Sequence, residues 1–252
     1  RSFRFACELA RNGYLGQLKE VVVAVAGPVA LTDCHLPPEP VPDWLDYDMW
    51  LGPAPWRPFN SSYVFGWMGY RDFSGGEMTN WGAHHFDIAQ WGIGADSSGP
   101  VEIIPPNGKD VPVLTYRYAN GVRVTRDPDR MARESGQGNG VMFIGTKGKV
   151  AVWRYDLRTW PEDLAKVVIR PDEIRLHVAE NHHTDFLEAV RSRGKPGAGV
   201  DVAVRSITVC HLGNIAYELG RPVRWDPLRE RFVNDPDADR LMARRMRPPW
   251  HL

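Results

Sequence analysis

The stretch "GGEMTNWGAHHFDIAQW", residues 75–91, sets two adjacent histidines, a carboxylate and two tryptophans behind a glycine pair. Counted as a helix that begins after Gly75-Gly76, Asn80, His84, Asp87 and Trp91 fall within about 60° of one another. Met78, Gly82, Phe86, Ala89 and Ile93 form an apolar stripe on the far side. One face is then suited to pack on a sheet, and the other presents an amide, an imidazole, a carboxylate and an indole in a row. Imidazole titrates near neutrality, which makes His84 the candidate general base. Asn80 can orient that ring or hold a substrate hydroxyl. Asp87 can orient a neighbouring group or bind substrate, or it can be a helix carboxylate tied to a backbone or Arg partner. His85 falls toward the buried side and is expected to be structural. The rival chemistry is a metal ion shared by His84 and Asp87, with His182, His183 or His211 completing its shell. The spacing H-H-x-D is not a specific zinc signature, so the site is read without a metal.

These side chains need a frame. Phe3, Ala6, Leu9 and Ala10 give a helix over 3–12 that Asn12-Gly13 ends, and "LKEVVVAVAG" gives a β-branched strand stopped at Gly27-Pro28. Residues 28–60 are rich in Pro, Asp and Trp without periodicity. They read as a long ordered loop, because aromatic side chains at that density are costly to leave in water. The segments "PVEIIP", "VPVLTYRYAN" and "GVRVTRD" are strands, the last two joined at the hairpin signal Asn120-Gly121, and "GVMFIGTKGKVAVWRY" is a second hairpin turning at Thr146-Lys147-Gly148. Tight turns between such segments imply antiparallel pairing. Helices follow over 183–193 and 201–219, the second ended by Gly220, and 221–252 form a charged, Pro-broken, extended C-terminal arm. With no internal repeat or linker, 1–252 reads as one α+β domain.

Lys+Arg and Asp+Glu are equal at 31 each, which gives no general attraction to nucleic acid or to anionic membranes. No apolar run approaches the length that spans a bilayer. Cys7, Cys34 and Cys210 are odd in number and widely spaced, and read as thiols and not as a disulfide frame or zinc knuckle.

The segments "YRDFSGGEMTNWGAHHFDIAQWGIGAD", "VLTYRYANGVRV", "GVMFIGTKGKV", "HHTDFLEAVRSRGKP" and "RPVRWDPLRERFVNDPDADRLMARRMRPPWHL" resemble the C-terminal domain of the Gfo/Idh/MocA oxidoreductases, the relatives of glucose-fructose oxidoreductase and inositol dehydrogenase. The similarity is closest to the bacterial, planctomycete-type subgroup and runs over essentially the whole chain. It implies the substrate-binding and oligomerisation half of a two-domain enzyme, with an open, predominantly antiparallel sheet, helices packed on one face, and the free face joining subunits into a homodimer or homotetramer. The expected reaction is NAD(P)-dependent oxidation of a sugar, glycoside or polyol hydroxyl. NAD or NADP would be bound mainly by an N-terminal Rossmann domain whose GxGxxG and Glu-Lys-Pro motifs are not in this sequence, so the chain alone is expected to be inactive. "GQGNG" at 136–140 lacks the spacing and context of a dinucleotide loop and reads as a flexible turn.

Many members carry Asp-x-x-x-His on this helix. His84 matches the histidine, while Asn80 stands where the aspartate would be, which implies weaker activation of the base. Tyr70 and Arg71 resemble the family's substrate-side loop. Trp56, Arg57 and Tyr63 are expected in the same cleft or in loop core, and His183, at a helix start, is a further candidate substrate contact if it is not a capping or packing residue. No nucleic-acid or membrane partner is expected. The compartment is the cytoplasm, or the periplasm if an export signal preceded Arg1. Two other activities stay open: a keto-sugar lyase or hydrolase in which His84 and Asp87 act as acid and base without net redox, and a non-catalytic carbohydrate-binding or assembly domain.

Overall fold

A computed structural model describes residues 1–25 and 31–250. The elements in chain order are α1 (Ser2–Arg11), β1 (Leu18–Ala24), α2 (Tyr47–Leu51), α3 (Ser61–Phe65), α4 (Trp81–Ile93), β2 (Glu102–Ile104), β3 (Thr115–Arg117), β4 (Arg123–Arg126), α5 (Pro128–Ser135), β5 (Gly140–Gly145), β6 (Lys149–Trp153), β7 (Asp156–Trp160), α6 (His182–Ser192), α7 (Val200–Leu219), β8 (Val223–Asp226), β9 (Arg231–Phe232) and α8 (Pro236–Arg240). The strands form one open sheet in the order β7-β6-β5-β1-β4-β3-β2-β8-β9. Every pairing is antiparallel except that of β1 with β4.

The run Val21–Val25 is apolar at successive positions because β1 lies mid-sheet with both faces buried. Val21, Val23 and Val25 face the main core, under α1, α4 and α7. The helices come close to the sheet because two glycines allow it. A Cβ at Gly92 would collide with the Phe143 ring, and one at Gly213 with the Tyr116 hydroxyl and Met78. The stripe expected on α4 is there: Met78, Gly82, Phe86 and Ala89 are buried, and Ile93 is partly so.

Val22, Ala24, Met142 and Ala151 point to the opposite face, where Met131 of α5 covers them. Sequence analysis did not foresee this helix. Its ends are well signalled all the same, since Asp127 caps it by accepting the Arg130 N–H at 2.8 Å and Gly136 ends it in the left-handed conformation. Arg130 and Glu134 tie α5 to the sheet through Glu20 and Lys149, at 3.0 and 2.6 Å. The face expected to be free of helices is therefore partly covered by α5. Beyond α5 the face carries a row of charge in register across the strands, Glu20, Arg123, Arg117, Glu102 and Arg224.

Three further expectations change. The C-terminal segment is not an extended arm from residue 221, because β8 and β9 lengthen the sheet and α8 follows. Strand β7, polar and at the sheet edge, was not anticipated. The loop at 28–60 is ordered where described, with Tyr47, Leu51 and Phe59 forming a small core of their own, and it contains α2. Gly27-Pro28, expected to stop β1, and the end of the arm at 251–252 lie outside the described residues.

Candidate active site

Helix α4 divides the two histidines. His85 is 1% exposed, and its Nδ1 lies 2.7 Å from the Ala24 carbonyl oxygen. That oxygen can only accept, so Nδ1 carries the hydrogen. Burial pushes the His85 pKa down to about 4 against the opposing carbonyl bond, with His84 and Arg154 adding repulsion. The ring is thus neutral at physiological pH and is held in place. His84, one residue earlier, is exposed, tilted against the Trp81 ring at 5.6 Å between centroids. The Arg154 guanidinium lies over the same Trp81, 5.0 Å from its centroid.

Asn80 is the N-cap of α4, one residue outside the helix, and is exposed. Among the described residues its side-chain amide reaches only Glu77, at 3.4 Å. Asp87 accepts the Ser206 hydroxyl of α7 at 2.6 Å. Burial raises its pKa, and the Ser206 bond and the His84 charge oppose that rise. Among the described residues Asp87 is therefore tied neither to backbone nor to Arg, the two partners considered from sequence.

A cavity lies elsewhere, among residues the sequence did not bring together. A cleft of about 1090 Å³ opens on the outer side of α7 and is walled by Arg71 and Asp72, by Thr208, His211, Asn214 and Glu218 of α7, and by the segment 241–245. A smaller cavity of about 450 Å³ adjoins it and shares Pro55, Asp72, Arg244 and Arg245. Trp50, Trp67 and Phe73 line the second. His211 is reachable from the cleft, yet loss of hydration, and then the Arg244 charge, push its pKa down. Burial likewise lowers the Arg244 pKa, helped by Arg71 and opposed by Asp72 and Glu218. The loop that enters α4 is held from both sides of this cleft. Arg244 donates to the Ser74 carbonyl at 2.9 Å and Asn214 to the Gly75 carbonyl at 2.7 Å.

The residues singled out from sequence therefore fall into separate places. His84 is exposed on α4, Asn80 caps its start and Asp87 faces Ser206 of α7, so the three do not form one cluster, and Arg71 alone of the substrate candidates lines the large cleft. Tyr63 is 2% exposed, packed edge-on against Tyr70 at 4.9 Å, with its hydroxyl on the Leu36 backbone; it is loop core. Arg57 stands behind the cleft, paired with Asp72 at 2.9 Å, and Trp56 is 65% exposed beside it in sequence without lining either cavity. His183 lies on α6, its ring tilted against that of His182 at 4.2 Å between centroids, where Asn181 caps the helix. Among the described residues no three His, Cys, Asp or Glu side chains gather as a metal site.

Of the residues lining the large cleft, Asn214, Glu218, Arg244 and Arg245 were not singled out from sequence, and His211 was considered only as a metal ligand. The signal for those on α7 was available, since Thr208, His211, Asn214 and Glu218 lie on one side of α7 by the same rotation that aligned α4. The arginine pair gave none beyond its charge.

The fold is an open α+β sheet domain. Residues 28–252 match the model of the oxidoreductase family's C-terminal alpha/beta domain, Gfo/Idh/MocA type, and the chain belongs to that family. No curated protein matches it in sequence. Among solved structures, the NAD-binding protein from Listeria innocua aligns at 13% identity and TM-score 0.48, over 88% of this chain and 59% of that one. The oxidoreductase domain protein from Kribbella flavida aligns at 16% and 0.45, over 86% and 60%. The WlbA dehydrogenase from Bordetella pertussis, solved with NADH and UDP-GlcNAcA, aligns at 15% and 0.45, over 88% and 60%. The chain spans about three fifths of the length of each.

Proposed function

We propose that this chain is the substrate-binding half of an NAD(P)-dependent oxidoreductase that acts on a sugar, glycoside or polyol hydroxyl, with His84 as general base. The supporting observation is the contrast within the histidine pair. His85 is locked neutral in the core on the Ala24 carbonyl, whereas His84 projects from the same helix into open space without an internal hydrogen bond among the described residues. An imidazole so placed has both ring nitrogens open to a substrate hydroxyl.

Other side chains on α4 would serve that step. Trp81 backs the His84 ring and limits its orientation. Asp87, held by Ser206, lies close enough to favour the imidazolium that proton transfer creates. Asn80 is uncharged and not bonded to His84, so it would contact substrate or orient the ring without adding basicity.

The nicotinamide would act as hydride acceptor, and nothing in the described fold suits its pyrophosphate. The segment "GQGNG" runs from α5 into β5, helix to strand. A dinucleotide loop runs from strand to helix and offers the helix N-terminus to the phosphates. Cofactor binding is therefore assigned to a separate domain. Self-association is assigned to the half of the free face that α5 leaves open, where the charged row could pair with a second copy. The direct test is incubation of the intact protein with NAD or NADP and a panel of sugars and polyols. Nicotinamide reduction is expected, and its absence with every substrate would count against the reading.

A further inference from the structure

The large cleft has an uneven distribution of charge. Each of its three carboxylates is already paired: Asp72 with Arg57 at 2.9 Å, Glu230 with Arg205 at 2.7 Å, and Glu218 with Arg71. Arg71 is saturated further by Asp33 at 3.3 Å. Arg244 and Arg245 line the same walls, and among the described residues neither has a carboxylate within ion-pair distance. Among the described residues Arg244 makes one hydrogen bond, to the Ser74 carbonyl, which leaves most of its five donors without a partner there. Two guanidiniums and an imidazole thus line one concavity whose carboxylates are each paired with another arginine, while the Asp72 and Glu218 charges act on Arg244 only at longer range.

A partly desolvated guanidinium without a counter-ion is costly, and its planar fork matches a carboxylate or phosphate in two places. The adjoining cavity shares both arginines and adds an aromatic wall. Trp50 is fixed there by an edge contact with Phe73 at 4.9 Å. Trp67 is 48% exposed and has no ring partner among the described residues, so its face is available. Such a face stacks well on the C–H side of a sugar ring.

We propose that the cleft between α7, the 50–73 segment and the 241–246 segment binds an anionic sugar, its carboxylate or phosphate seated on Arg244 and Arg245 and its ring on Trp67. The site is distinct from the outer side of α4, and the proposal does not depend on His84 being a base.

Isothermal titration of the intact protein with D-glucuronate, D-glucose 6-phosphate, D-glucose and inorganic phosphate tests it. One or both anionic sugars should bind at least tenfold tighter than glucose and than inorganic phosphate, and which of the two binds tighter tells carboxylate from phosphate. Arg244→Met should weaken that binding about tenfold or more, and Trp67→Ala should weaken it while leaving charge intact. Arg244→Lys guards against a folding artefact, since it retains the charge and should recover part of the affinity, with thermal melting confirming that each variant is folded. The proposal is overturned if glucose binds as well as its anionic relatives, if Arg244→Met binds as the parent does, or if no probe binds at about 10 mM. These outcomes are read without turnover, so they stand apart from any result with His84 variants.

Discussion

Ser206 of α7 donates its hydroxyl hydrogen to the Asp87 carboxylate of α4 at 2.6 Å, across 119 residues of sequence. The bond joins two helices of the main layer at a carboxylate that burial would otherwise push toward the neutral form. Ser206→Ala removes the donor and should destabilise the fold by about 1–2 kcal/mol at neutral pH. The pKa of Asp87 is raised in the folded state, so the anion costs stability above that pKa and the cost disappears as pH falls through it. The deficit of Ser206→Ala should therefore shrink in acid. Urea midpoints at neutral and acidic pH measure this, and an equal deficit at both would contradict it.

His85 should make the fold acid-sensitive in a defined window. Its folded pKa is depressed to about 4, below the ordinary 6.5, so the unfolded chain takes up the proton first as pH falls. Stability is intact above 6.5 and is lost progressively down to 4, by about 3 kcal/mol. His85→Gln should flatten that slope in urea titrations. An unchanged slope would mean that His85 is not the group responsible.

His84→Ala in the intact enzyme should lower kcat by roughly 10²–10⁴ while the melting temperature holds, because the side chain is exposed and bonded to nothing that supports the fold. Full turnover in this variant would remove His84 from the chemistry.

Asn80→Asp should restore a carboxylate four residues before His84. An aspartate is as good a cap as asparagine and suits a helix N-terminus, so the fold should tolerate it. The negative charge should raise the apparent pKa of the base, moving the acid limb of the kcat/KM profile to higher pH. A superimposable profile would show that position 80 does not act on His84.

The intact protein should be a homodimer or larger by light scattering at micromolar concentration. Arg117→Glu, which reverses the middle of the charged row, should weaken that assembly. A monomeric parent protein would exclude the sheet face as an interface.

Parts of this architecture were plain in the sequence and parts were hidden for identifiable reasons. The rotation that separated His84 from His85 depended only on helical period, and burial follows it. The hairpin at Asn120-Gly121 was legible because a left-handed turn needs such residues, and Gly121 has φ +84°. Helix α5 was hidden because it buries only Met131 and Ser135, too few positions to show a period. Strand β7 was hidden because its edge position lets it keep polar residues. The cleft was unreadable as a unit, since Arg71, His211 and Arg244 come from three distant segments that only the fold brings together.

The clamp on the entry to α4 has a consequence for the order in which the chain can be completed. Its two donors lie 139 and 170 residues downstream of the carbonyls they hold. During synthesis the helix carrying His84 emerges long before either, and the turn preceding it lacks both donors until residues 214 and 244 have been made. The start of α4 is thus translated early and fixed late.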